Sequence, residues 1–116
     1  MPLLSDRTTP DGLRLIHANG ELDRAELAHL RTTVQAAFAD GAPSVILDMT
    51  DVTFIDSSVL AALIAESLDA DQRGARLVVV TGAGGIMRSL ELKGLVQVMH
   101  IAETIEQATA QLTPRP

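Results

Sequence analysis

The sequence predicts an α/β fold, with a central mixed, mostly parallel sheet of about four to five strands and about four helices. Three observations lead there. Short apolar runs at Val45–Met49 and Arg76–Val80 have the length and β-branched content of strands covered on both faces. Segments with apolar residues at i, i+3, i+4, i+7 spacing alternate with those runs. Cap residues, Gly and Pro punctuate the boundaries.

Residues 1–12 are polar, with Pro2, Pro10 and Gly12. They accommodate a short edge strand around Leu3 and Leu4, then a turn at Pro10-Asp11-Gly12. Leu13–Ala18 reads as a strand, with Leu13, Leu15 and His17 alternating against Arg14 and Ile16, and Asn19-Gly20 breaks it. Asp23 is the expected N-cap of the first helix, with Glu26 at capping-box spacing. Leu27, Leu30, Val34, Ala37 and Phe38 then form one buried stripe. Gly41 is the expected left-handed C-cap, with Pro43 beyond it.

After the strand at Val45–Met49, a second short run, Val52-Thr53-Phe54-Ile55, leads to Asp56-Ser57-Ser58. A helix follows from about Ser57 to Ala70, capped by serine, with Leu60, Leu63, Ile64 and Leu68 inward. Gly74 interrupts before the strand Arg76–Val80. Gly82-Ala83-Gly84-Gly85 opens a short helix carrying Ile86, Met87 and Leu90, closed by Lys93-Gly94. Val96–Ile101 is the last predicted strand. Thr104 caps a final helix, with Gln107 at the capping-box position and Ile105, Ala108 and Leu112 buried. Thr113–Pro116 is a tail.

Composition narrows the function. At 116 residues the chain is expected to be one domain, 1–116, able to bury a core without staples. Apolar residues make up 47% but aromatics only 2%, so the core must be aliphatic. A net charge of −6 without stacking aromatics argues against nucleic acid as a partner. The absence of cysteine excludes disulfides and thiolate metal sites. The segment Met1-Pro2-Leu3-Leu4-Ser5-Asp6 lacks the basic and apolar regions of a signal peptide, and no window approaches 18 uninterrupted apolar residues. The expectation is a soluble cytoplasmic domain without membrane insertion, cofactor or metal.

Few residues offer chemistry. Ser57 and Ser58 stand where a strand empties into a helix, and serine there ordinarily caps the helix. An enzymic nucleophile would need a base, yet His17, His29 and His100 are scattered over unrelated elements. A nucleophile elbow would need Gly at both flanking positions now held by Ile55 and Val59. The chain is therefore read as a non-enzyme. The cluster Gly82–Gly85 follows a strand and opens a helix, the context of phosphate loops. Met87 replaces the third glycine of that pattern and no phosphate-cradling Lys follows, so a turn is expected, without tight nucleotide binding. Asp48, Asp51 and Asp56 fit no EF-hand spacing and read as a solvated acidic rim. The three histidines read as bystanders.

Two motifs together resemble the STAS domain family, which includes anti-sigma factor antagonists and the cytoplasmic ends of sulfate transporters. Asn19-Gly20-Glu21-Leu22-Asp23 matches the family's G-E-L-D segment. Val45 through Ser58 matches the apolar strand, D-L, then F-I-D-S-S-G-L signature. Leu92-Lys93-Gly94-Leu95 is similar to its L-x-G-L turn before the last strand. The likeness spans about residues 10–112.

The resemblance implies an anti-sigma factor antagonist that regulates transcription by partner switching. Its partner would be a GHKL-type kinase that is also the anti-sigma factor, with a PP2C-type phosphatase reversing the modification. It maps the phosphoacceptor to Ser57, and the partner-binding surface to Gly20, Glu21, Asp23, Asp56, Ser57, Ser58, Val59 and Leu60. The departure is Val59, where the family usually has Gly. That branched side chain is expected beside the acceptor, in the path of the kinase. The alternative implied is a non-switching STAS scaffold, or an accessory subunit of a transporter or signalling complex.

Overall fold

The computed structural model describes residues 4–9, 13–92 and 94–112. A five-stranded sheet in the order β1-β2-β3-β4-β5 forms the centre. Strand β1 (Leu4–Thr8) pairs antiparallel with β2 (Arg14–Leu22). Strands β3 (Ser44–Ile55), β4 (Arg76–Val80) and β5 (His100–Ala102) add in parallel. Helices α1 (Leu27–Ala39), α2 (Ser57–Gln72) and α3 (Gly85–Leu92) cross between successive parallel strands, and α4 (Ile105–Leu112) follows β5. The mixed sheet with four helices is the predicted fold class.

Right-handed crossovers that always advance in one direction put their helices on one face of the sheet. Val45, Leu47, Leu77 and Val79 accordingly pack with Leu30, Val34, Phe38, Val59 and Leu63 in one cluster, which Ile86 of α3 also joins. The alternate residues Ile46, Val78 and Val80 point to the opposite face, where Leu15, Ala102 and Ala108 join them under α4. Coverage on both sides explains why β3 and β4 read as continuous apolar runs rather than alternating ones.

The predicted first-helix stripe is buried at Leu30, Val34, Ala37 and Phe38, with Leu27 packed at its edge. Gly41 lies in the left-handed region at φ 93° and donates its N–H to Phe38 O. Thr104 Oγ1 accepts from Gln107 N at 3.1 Å, and Gln107 Oε1 reaches back to Glu103 N at 3.0 Å. Leu3, the Pro10-Asp11-Gly12 turn, Lys93 and the Thr113–Pro116 tail lie outside the described residues.

Four expectations are corrected. Asn19-Gly20 does not break β2, which continues to Leu22 because the long β3 supplies partners as far as Ile55. Gly20, at φ 77°, adapts the strand without leaving the ladder. In the second helix, Leu68 is exposed while Glu66 and Ser67 turn inward. Gln35 Nε2 of α1 donates to Glu66 Oε1 at 2.8 Å, so a polar contact between helices occupies that stretch. Glu26 approaches His29 at 4.0 Å, and Asp23 caps a separate 3₁₀ turn, Arg24–Glu26, by accepting from Ala25 N at 3.0 Å. Finally, Leu95–Gln97 forms a 3₁₀ turn after left-handed Gly94, and the last strand is only His100–Ala102. The neighbouring β4 offers it only three paired positions, Val78 to Val80.

Candidate functional site

Strand β3 outruns β4. Its last pairing with β4 is Asp48 to Val80, whereas pairing with β2 continues to Ile55 opposite Leu22. Beyond Asp48 the sheet is therefore a two-stranded ribbon. Register shifts fall between His17 and Asn19, and between Gly20 and Glu21; each time β3 spends one residue more than β2. Extra residues on one strand bend the ribbon and re-aim its side chains.

The ribbon ends where α2 begins, and one hydrogen bond ties the two together. Asp56 N donates to Leu22 O at 3.0 Å. Asp23 is the next residue, so the Gly20–Asp23 segment and the start of α2 are held side by side. This is the juxtaposition that the two motifs led one to look for.

The helix start is set by Asp56 rather than by serine, a correction of the predicted cap. Asp56 has extended backbone (φ −76°, ψ 151°), and its Oδ1 accepts from Ser58 N at 2.7 Å and from Ser58 Oγ at 2.6 Å. The Ser58 hydroxyl, then the Ser58 N–H, and more weakly the positive charge of Arg24 lower the Asp56 pKa against desolvation. Asp56 thus stays ionised while satisfying a free N–H of the helix. Ser57, relieved of capping, occupies the first helical position and is exposed.

The remaining predicted site residues divide by burial. Glu21 and Asp23 are exposed, and Gly20, Asp56 and Ser58 are half-buried on the same end. Val59 is 0% exposed and packs in the main core; Leu60 is 6% exposed. The partner surface implied by the resemblance includes both, yet both are buried here, Leu60 inward as its helical spacing predicts. The helix turns 100° per residue, so past exposed Ser57 and half-buried Ser58 the side chains enter the sheet–helix interface. Val59 accordingly stands beneath Ser57, not beside its hydroxyl.

The acidic rim also dissolves on inspection. Asp48 is buried at 6% exposure, and its Oδ1 accepts from Thr50 N and Thr50 Oγ1 at 3.0 and 2.8 Å. Asp51 faces His17 Nε2 at 2.8 Å across the ribbon. His100 Nε2 meets Asp71 at 2.9 Å near the opposite end. With His29 at 4.0 Å from Glu26, each of the three histidines faces a carboxylate rather than standing idle. Among the described residues, no group of three or more His, Asp or Glu could hold a metal ion. No helix there is long and apolar enough to cross a membrane. At the glycine turn, Gly82 (φ 70°) closes against Thr50, while Gly84 and Gly85 face open space.

Sequence reasoning missed Arg24 beside Asp56 and missed Phe54. Phe54 is 50% exposed, although its run reads as buried strand. The register shift that turns it outward has no signature in its own segment.

Comparison with known proteins converges on one family. The STAS domain model matches residues 5–108. The anti-sigma-B factor antagonist of Staphylococcus aureus (strain NCTC 8325 / PS 47) is 26% identical over 106 residues, covering 91% of this chain and 98% of that protein. An anti-sigma factor antagonist from Mycobacterium paratuberculosis superposes with a TM-score of 0.80 at 23% identity, covering 93% of this chain and 92% of that one. The Bacillus cell fate determinant SpoIIAA in its phosphorylated form gives a TM-score of 0.69 at 19% identity, covering 95% and 99%.

Proposed function

The chain belongs to the STAS domain family, and we propose that it is an anti-sigma factor antagonist switched off by phosphorylation at Ser57. One observation carries the reading: Ser57 is an exposed hydroxyl at the first position of α2, freed from capping by Asp56, with the Gly20–Asp23 segment tied beside it. In this reading the unmodified face docks on an anti-sigma factor that is also a GHKL-type serine kinase, and releases the sigma factor. A PP2C-type phosphatase restores the docking form, and the cycle runs in the cytoplasm. The protein itself performs no catalysis.

Charge explains the direction of the switch. A phosphate on Ser57 adds up to two negative charges beside ionised Asp56 and near Asp23. At the N-terminus of a helix the exposed phosphate is tolerated, with a gain below ~1 kcal/mol from the helix dipole. Desolvating it in an interface that sets no partner cation against Ser57 costs several kcal/mol, on the order of a thousandfold in affinity. The interface term is the larger, so modification breaks the complex and leaves the fold intact. Burial of Val59 supports the reading, because its side chain is out of the path of a kinase approaching Ser57.

Calorimetry against the cognate anti-sigma factor tests this. Ser57→Ala is expected to bind like wild type and to take no phosphate from the kinase and ATP. Ser57→Asp is expected to fold yet bind much more weakly. Equal affinity of wild type and folded Ser57→Asp would sink the switch.

A further inference from the structure

The ribbon leaves an apolar surface outside both core clusters. Phe54 is half exposed, between buried Val52 and half-buried Ile55. It is held outward by a register shift, since Gly20 pairs with Val52 and the next residue, Glu21, pairs with Phe54. Beside it lies an open groove of 490 Å³, with Val52, Thr53, Phe54 and Ile55 on one wall and Gly85 and Ile86 of α3 on the other. Ile86 is packed against the core, so that wall is anchored. Gly85 leaves its own side open, with nothing within 4 Å of a Cβ placed there.

Position and charge say what fits. Ile55 directly precedes Asp56 and Ser57, so a protein seated on Ser57 also covers the groove. Glu21, opposite Phe54 in register, is exposed and has no ion-pair partner among the described residues. Asp23 and Asp56 lie at the same end, against Arg24 there and Arg88 on α3. An apolar anchor bordered by acid selects an apolar side chain flanked by a cation.

We propose that the groove between Phe54 and Gly85 is a second anchor point for the anti-sigma factor, receiving one of its apolar side chains while a neighbouring Lys or Arg meets Glu21. This rests on the reading of the chain as an anti-sigma factor antagonist. It adds a contact that supplies affinity without carrying the phosphate. Phosphorylation at Ser57 then works against an anchor it does not touch, so the switch must come from charge and not from loss of the groove.

The test uses the full chain and, as probes, the purified GHKL-type anti-sigma kinases of the same genome, with affinity read by calorimetry and folding by thermal melts. Phe54→Ala empties the groove's wall, and Gly85→Leu fills the groove from the other side. Each is expected to weaken binding by roughly tenfold or more. Glu21→Lys is expected to weaken it less, and more at low salt. Leu68→Ala, an exposed apolar residue toward the far end of α2, is expected to bind like wild type. If Phe54→Ala unfolds the ribbon, Gly85→Leu decides alone. Wild-type affinity in both groove variants, with Ser57→Asp still weakened, would overturn the anchor and leave the switch standing. A kinase panel that fails to bind wild type overturns both. A wild-type dimer in sedimentation that both groove variants abolish would assign the groove to a second copy instead.

Discussion

Asp56 and Ser57 divide two tasks that a single serine would otherwise have to share. Asp56 takes the capping bonds, and the hydroxyl of Ser57, the proposed acceptor, is left without that duty. Ser57→Ala should therefore change stability by no more than about 0.5 kcal/mol, as at other exposed sites away from caps and cores. The Asp56 carboxylate titrates below its ordinary value of 3.8, first because of the Ser58 hydroxyl and then the Ser58 N–H. A depressed folded pKa stabilises the fold above the unfolded value, and that stabilisation is lost as pH falls through the lower folded value. Melting temperatures of wild type and Asp56→Asn should consequently differ most above about pH 4 and converge in more acid solution. A gap that widens on acidification would contradict the cap. Val59 gives the reverse case, a site residue whose weight is entirely internal. Val59→Gly opens a core cavity and puts glycine into a helix, and should cost about 2–4 kcal/mol in chemical denaturation. A variant as stable as wild type would show that the side chain is not packed where it is placed.

The β2–β3 ribbon decides what the proposed docking end presents. A strand that ended at Asn19 would leave Glu21 and Asp23 on a loose loop. Continued pairing to Leu22 and the bond from Asp56 N to Leu22 O fix them against α2 instead. Gly20 is the residue that permits this, because φ 77° is unfavourable for any residue with a Cβ. Gly20→Ala should destabilise the protein by about 1–2 kcal/mol. It should also raise amide exchange in Glu21–Asp23 above that in the sheet centre. Uniform exchange changes across the sheet would mean that the ribbon is not a separate element.

At the scale of the molecule, the sheet has unequal covers. Three crossover helices and the larger cluster lie on one face, whereas α4 covers the other with Ala108 at its centre. Ala108 is 0% exposed against strands, so an acid there has no partner and must be desolvated. Ala108→Asp should cost about 3 kcal/mol or more and expose Leu15, Ile46 and Val78, read as dye binding together with a lowered melt. The proposed docking end is built from β2, β3, α2 and α3. A milder change, Ala108→Ser, should therefore lower stability while leaving partner affinity close to wild type. Loss of binding in that variant while it remains folded would place α4 in the interface.

Much of this was legible in the chain itself, for local reasons. Helix periodicity with Gly and cap residues marked α1 and α4, and unbroken aliphatic runs marked the buried parts of β3 and β4, since those signals depend only on neighbours in sequence. The motif spacing also picked out Asp23, Asp56 and Ser57. The sequence did not reveal that β2 runs through Asn19-Gly20, because an Asn-Gly pair signals a turn unless a longer strand stands ready to pair with it. Nor did it reveal the later turns of α2, where Gln35 of another helix draws Glu66 inward and Leu68 faces out, although Leu60 and Leu63 are buried as predicted. That Asp56 and not a serine caps, whether Val59 is surface or core, and the outward turn of Phe54 all depend on how segments some thirty residues apart come together. Local chemistry wrote the elements and singled out Ser57; only strand pairing across the sheet decided which neighbouring side chains stand at the surface with it.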